Sequence, residues 1–329
     1  MCLYKLQITK KMYLCSRNLE IMCIMKRYLI PLLLVAFLVT AFTSCKPDEE
    51  IYNPACKISK IWYRSDVGSP NEVYVYDEKG KELQQIIVDS LYSFDFSYNK
   101  DKTVSKIVHV GEDYTETIDF QWTDQLVDKM TYTIDGAVRL EYTFHRNSNE
   151  KDKAYGRIES IEEMYDQEFY DQYYWKGKRH PLYDKVFGNY EEISEIAAKA
   201  DSKDLRMYSV KKFTYDPGEK EKYENISMYV EEFPIAQTVV THTYQYDLNS
   251  YNPFYGLPFA YADIAGYYLN LKTAEHIETV VKGNLSKVED IVYQYNGQHY
   301  MNDKGYPRQF VTISSENNIP IHTYILYKK

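Results

Sequence analysis

Tyr92-Ser93-Phe94-Asp95-Phe96-Ser97-Tyr98-Asn99 alternates rings with small polar side chains and then meets a turn former. Successive side chains of a strand point to opposite faces, so the four rings share one face while Ser93, Asp95 and Ser97 share the other. The same alternation continues outward from this stretch. Ile118, Phe120 and Trp122 oppose Asp119, Gln121 and Thr123; Met130, Tyr132 and Ile134 oppose Lys129, Thr131 and Thr133; Tyr142 and Phe144 oppose Glu141, Thr143 and His145. One apolar and one wet face is the pattern of an antiparallel sheet. Turn signals separate the runs, among them Asp77 to Gly80, Asn99 to Lys102, Asp135-Gly136, Asp216-Pro217-Gly218 and Asn302 to Gly305. They supply the Asn, Asp or Gly that tight hairpins need for positive φ.

The rhythm is a loose internal repeat: aromatic, any residue, aromatic, Asp or Asn, then a turn. Tyr74-Val75-Tyr76-Asp77, Phe213-Thr214-Tyr215-Asp216 and Tyr244-Gln245-Tyr246-Asp247 carry it. Lone hairpins are marginal in water, so such units predict an array in which each buries its apolar face on the next. Two stretches break the rhythm. Ile193, Ile196 and Ala197 recur at helical spacing within 190–205, and Asn252 to His276, with Pro253, Gly256 and Pro258, reads as a long excursion holding some helix. The expected fold is all-β: an antiparallel meander of roughly a dozen strands, twisted or closed, fully or nearly, into a barrel, with a small helical insertion. Thirty-six tyrosines against 13 Phe and 3 Trp suit strands with a half-wet face.

The N-terminus reads as an address. Lys26-Arg27 precede an apolar run from Tyr28 to Phe42, and Thr43-Ser44-Cys45 follows. A charged start, an apolar stretch and small residues are the layout of a cleavable signal peptide; Pro31 and the shortness of the run disfavour a membrane-spanning helix, which needs roughly 20 apolar residues. Thr43-Ser44-Cys45 resembles a lipobox, with Phe42 where Leu is usual, and makes Cys45 the expected lipidation site. Residues 1–24 read as an upstream extension, 25–44 as the signal, 45–56 as an acidic tether and 57–329 as one all-β domain. No Pro-, Gly- or Ser-rich linker divides that last stretch, although its length would also allow two domains. Lys46-Pro47-Asp48-Glu49-Glu50 resembles an export tag that sends lipoproteins to the outer face in one phylum of Gram-negative gut anaerobes; a plain solvated tether, or retention on the periplasmic leaflet, stays open.

Residues 1–44 hold six of the 39 basic and one of the 48 acidic side chains, leaving 33 and 47, a net charge of about −14. Such a surface repels phosphate backbones, so no nucleic-acid partner is expected. With Cys45 acylated, Cys56 is left as a single free thiol in the mature chain, and no internal disulfide can form.

Tyr74 to Gly80, and Tyr293-Gln294-Tyr295-Asn296 through Gly305-Tyr306-Pro307, resemble the tyrosine-aspartate repeats of large RHS-type shell proteins. Tyr246-Asp247, Asn252-Pro253-Phe254, Gly256-Leu257 and the Gly305-Tyr306-Pro307 hairpin are more similar to a lipoprotein family of unknown function with a porin-like fold. That resemblance covers most of 57–329 and departs at Leu271 to His276, where a stretch richer in Asn and Ser is expected. It implies a barrel but brings no activity. Alternation of five to eight residues, strand charges and an end at Tyr327-Lys328-Lys329 favour a water-exposed domain over a membrane-spanning barrel, whose strands need about 9 to 11 residues.

The seven histidines are scattered, with no HExxH or CxxC spacing, and no GxSxG, P-loop or GxGxxG occurs. No catalytic residue, metal site or cofactor is therefore expected. The densest aromatic patch runs from Tyr165 to Trp175. Tyr173, Tyr174 and Trp175 are the candidate ligand-binding residues, since rings beside carboxylates and carboxamides can stack on sugars; the plainer alternative is a loop packed on the sheet. The functional expectation is a non-enzymatic envelope lipoprotein, tied to the membrane by its anchor and binding a glycan or another envelope protein. The alternatives are a glycan-acting hydrolase and a carrier of a small apolar ligand.

Overall fold

The structure, a computed structural model, describes residues 54–64, 68–149, 151–152, 154–166, 168–169, 180–187, 206–216, 225–257, 269–295 and 300–328. Strands follow one another as β1 Ile58–Tyr63, β2 Glu72–Tyr76, β3 Leu83–Val88, β4 Tyr92–Tyr98, β5 Val104–Val110, β6 Thr115–Thr123, β7 Leu126–Ile134, β8 Ala137–Arg146 and β9 Ile158–Tyr165. A helix, α1 Pro181–Phe187, precedes β10 Arg206–Asp216, β11 Asn225–Phe233, β12 Thr238–Asp247, β13 Leu271–Val281, β14 Asn284–Gln294, β15 Gln309–Ser314 and β16 Ile321–Tyr327. Each strand pairs antiparallel with the next, and β1 pairs with β16 through Ile61 opposite Ile325 and Tyr63 opposite Thr323. The meander is thus a closed barrel of sixteen strands, which leaves no open sheet edge.

The count exceeds the expected dozen because several strands are too short to alternate visibly; β2 has five residues, and β1, β3 and β15 have six each. Leu271 to His276, expected inside the excursion, is the first half of β13. The helical insertion expected at 190–205 lies outside the described residues.

The hairpin repeat has a physical basis. Register shifts opposite Val75/Tyr76, Ser97/Tyr98, Gln121/Trp122, His145/Arg146 and Gln245/Tyr246 mark bulges near the starts of β3, β5, β7, β9 and β13, where Gln84, Ser105, Asp128, Glu159 and Thr273 are the extra residues. Each bulge bends its own strand and strengthens the local twist beside the end of the even-numbered strand it faces. The side chains facing these bulges donate to carbonyls at the start of the preceding strand: Tyr76 to Ile58 (2.7 Å), Tyr98 to Leu83 (2.6 Å), Trp122 to Val104 (2.7 Å), Arg146 to Val127 (3.0 Å) and Tyr246 to Ile226 (2.6 Å). Tyr327 makes the same bond to Pro307 (2.6 Å) beside the seam. Six hairpins are thus cross-tied at one end of the barrel. At the other end the β7–β8 turn is tight: Asp135-Gly136, with φ of 50° and 78°, matches the expected two-residue turn.

Helix α1 lies in the lumen, because it touches strands far apart around the wall: Lys185 reaches Glu72 on β2 (2.6 Å), and Phe187 stacks on Tyr142 of β8 (5.2 Å between centroids). Leu182, Tyr183, Val186 and Phe187 are all buried among inward side chains of β6 to β8. At the cross-tied end, Asn225 and Asn270 pin the β12–β13 excursion. Asn225 Oδ1 accepts the Leu269 and Asn270 N–H groups (both 3.1 Å), and Asn270 Nδ2 donates to Ser250 O (2.7 Å).

Candidate functional site in the barrel lumen

Cross-strand register sets which side chains share a level inside the barrel. One inward row runs Phe144, Ile161, Lys211, Glu231, Val240, Thr279, each opposite the next, and ends at Lys287 on β14. Another runs Tyr244, Glu275, Ile291, Ser314. The interior therefore changes character around its circumference. Phe94, Ile107, Ile118, Met130 and Tyr132 on β4 to β7 are at most 2% exposed, whereas the inward residues Lys287, Glu289, Ile291 and Tyr293 of β14 keep partial solvent access.

Three polar clusters line the wall from β9 to β15. In the first, Ser209 Oγ lies 3.0 Å from Glu163 Oε2 and 2.9 Å from Glu231 Oε1. One hydroxyl proton cannot serve both oxygens, so a protonated carboxyl must donate to Ser209 while Ser209 donates to the other carboxylate. Glu163 suits the protonated role: burial pushes its pKa up to about 7, with Lys211 opposing and the Glu231 charge adding to the rise. Lys211 Nζ sits 3.8 Å from Glu231 and 5.6 Å from the centre of the Tyr142 ring.

In the second cluster Glu275 accepts from His242 Nδ1 (2.8 Å), Lys272 Nζ (2.9 Å) and Tyr293 OH (2.8 Å). Burial alone would raise its pKa, but the Lys272 charge and the His242 bond outweigh it and hold the carboxyl well below the usual carboxylate range. His242 stacks flat on Tyr229, 4.2 Å between centroids, and the Lys272 ammonium lies 5.0 Å from the ring centres of both Tyr244 and Tyr293. In the third, Lys287 pairs with Glu289 (3.5 Å) and Glu316 (3.2 Å), and Ser314 donates to Glu289.

The α1 side differs: its two carboxylates hold structure. Glu72 accepts from Tyr63 (2.6 Å), Tyr74 (2.7 Å) and Lys185, and although burial opposes ionisation these partners lower its pKa. Glu116 accepts from Tyr132 OH (2.7 Å) and from the N–H groups of Leu182 (3.3 Å) and Tyr183 (3.2 Å), satisfying donors that the first turn of a helix leaves free. Its burial still raises its pKa.

Cys45, Tyr173, Tyr174 and Trp175 lie outside the described residues. The described start of their patch packs inward: Tyr165 and Phe169 are buried, Phe169 lies 5.7 Å from the Tyr132 ring, and Asp166 pairs with Arg139. Sequence reasoning missed the lumen clusters, although Glu163, Glu231 and Glu275 stand in phase with apolar inward residues, which is the signal that could have found them. Among the described residues no group of three His, Cys, Asp or Glu could hold a metal ion.

No family model matches the chain. No curated protein matches it either. Among solved structures it is similar to a porin-like protein from Bacteroides vulgatus ATCC 8482, at 12% identity over 83% of this chain and 99% of that one, with a TM-score of 0.43. It is also similar to a chain in the TcdB2-TccC3-Cdc42 complex, at 11% identity over 74% of this chain and 11% of that one, with a TM-score of 0.26.

Proposed function

We propose that this chain is a lipid-anchored, non-enzymatic binding module of the cell envelope, and that it takes a hydroxyl-rich ligand, a glycan or a glycosylated envelope protein, against the polar inner wall of β12 to β15. The observation that carries this reading is the solvent access kept by Lys287, Glu289, Ile291 and Tyr293 inside a closed barrel whose opposite wall is sealed. A wall of ammonium, carboxylate and hydroxyl groups offers donors and acceptors to a polyol and disfavours an apolar cargo, whose entry would desolvate them without repayment. The Glu163–Glu231 pair does not favour hydrolysis, since both carboxyls are buried and spent on Ser209 and Lys211.

The test is binding of the mature chain to a panel of envelope and host polysaccharides. Wild type should bind one class without cleaving it, and Lys287→Ala with Glu289→Ala should weaken binding at least tenfold while leaving the melting temperature near wild type. No glycan bound by wild type, or product released from one, overturns the proposal. Location is read by protease treatment of intact cells, with Cys45→Ala as control; cleavage on intact cells places the ligand outside, and protection until the outer membrane is opened places it in the periplasm.

A further inference from the structure

The outer wall is as uneven as the inner one. From β5 to β14 it carries cross-strand pairs of a Lys or His with a carboxylate: Lys106–Asp119 (2.9 Å), Lys129–Glu141, His145–Glu162 (3.4 Å), Lys212–Glu232 (2.7 Å) and His276–Asp290 (2.7 Å). Such groups belong in water; on a lipid-facing strand a Lys costs about 2–4 kcal/mol at the midplane, and a carboxylate adds to it.

Around the β1–β16 seam apolar residues hold many of the outward register positions, interrupted by Lys60 opposite Leu326 and Val73, Gln309 opposite Tyr324 and His322 opposite Val311. Val292 stands opposite Ile313, and Tyr324 opposite Trp62. Val292 and Leu326 are 44% and 48% exposed, and Val75 on β2 is 38% exposed. The strip thus runs from β14 through β15, β16 and β1 to β2, five neighbouring strands with β1 among them.

We infer that this strip lies against the lipid surface to which the chain is tethered, so that the barrel rests on its side in the interface and does not cross the bilayer. The inference rests on the lipid anchor of the preceding section. Chain length selects the occupant: eight residues lie between Cys45 and Pro54, which puts the two at most about 30 Å apart, so an acylated Cys45 holds β1 close to the bilayer. The side chains suit that boundary. Trp62 and Tyr324 are amphipathic rings of the kind enriched at membrane interfaces. Where the tether enters, Lys57 and Lys328 lie 5.6 and 5.3 Å from the Tyr76 ring centre with their ammoniums at the rim, although Asp77 partly offsets their charge.

Nitroxide labels at Val292→Cys, Leu326→Cys and, as control, Thr143→Cys test this in a Cys45→Ser, Cys56→Ser mature chain held to phosphatidylcholine vesicles by an N-terminal hexahistidine and a nickel-chelating lipid. Collision with aqueous chromium oxalate should fall several-fold at 292 and 326 on attachment and stay unchanged at 143. Unchanged collision at all three sites overturns the inference. So does protection at 292 and 326 that grows with protein concentration in the absence of vesicles, which would assign the strip to a second copy. The anchor is read separately, from the mass of the Cys45 peptide of the natural protein; an unmodified Cys45 removes the premise whatever the labels report.

Discussion

The walls on either side of α1 obey one strand pattern and do opposite things with it. On β4 to β8 the inward positions hold Phe94, Ile107, Ile118, Tyr132 and Tyr142, sealed by one another and by α1. On β12 to β15 the equivalent positions hold His242, Glu275, Glu289 and Ser314, held in place by hydrogen bonds and partly wet on β14 and β15. A barrel this wide cannot be filled by its own side chains alone. A segment entering from the β9–β10 connection packs one side, and the other is left to polar groups that water or a ligand can satisfy.

That contrast predicts unequal costs for truncation. Tyr132→Ala removes a fully buried ring packed on Tyr183, Phe187 and Phe169 and leaves Glu116 short of a donor. It should cost about 4 kcal/mol in chemical denaturation. Thr312→Ala, on the inward face of β15, should cost under about 1 kcal/mol. Equal losses would mean that the two walls are packed alike.

Next is Lys185→Ala, which strands the buried Glu72 carboxylate and should cost about 3 kcal/mol; the double variant Glu72→Leu, Lys185→Met should recover most of it. Because the folded pKa of Glu72 is depressed, this stabilisation is present above the ordinary carboxylate range and is lost as pH falls through the folded value. An Ala variant as stable as wild type at pH 7 would detach α1 from β2.

Glu163 has the opposite sign. Its folded pKa is raised from 4.5 to about 7, so its contribution is fully present below the unfolded value and lost as pH rises through the folded one, by up to about 1.4 kcal/mol per pH unit between them. Glu163→Gln keeps a hydrogen-bonding side chain without the charge. It should gain stability over wild type as pH goes from 5 to 8, by about 2 kcal/mol in the difference between the two proteins. A constant difference across that range would remove the protonated carboxyl from the Ser209 bridge.

Some of this was legible in the sequence because one physical rule suffices for it. Tyr92 to Tyr98 alternates without interruption, so its strand, inward face and turn follow from side-chain period alone. Val75-Tyr76, Ser97-Tyr98 and Gln121-Trp122 keep the same period, but nothing in it reveals the bulge that faces each of them on the next strand. The candidate site was not legible: Glu163, Ser209 and Glu231 come from three strands, and their meeting depends on register across pairs that no local pattern sets. Helix α1 was hidden for a related reason, since its seven residues are too few to show a period and are held by Glu72 and Glu116 from 113 and 66 residues away.

The smallest expected effects belong to the cross-ties, and they test whether the repeat is a set of equal units. Tyr76→Phe, Tyr98→Phe and Tyr246→Phe each delete one hydroxyl that donates to a carbonyl at 2.6–2.7 Å and keep the ring. Each should cost about 1 kcal/mol, the net worth of one such bond. The three bonds share no partners and tie different hairpins, so the triple variant should lose close to the sum of the single losses. A triple loss well beyond that sum would show that the ties act together around the ring, and the polar wall between β12 and β15 would then depend on hairpins it never touches.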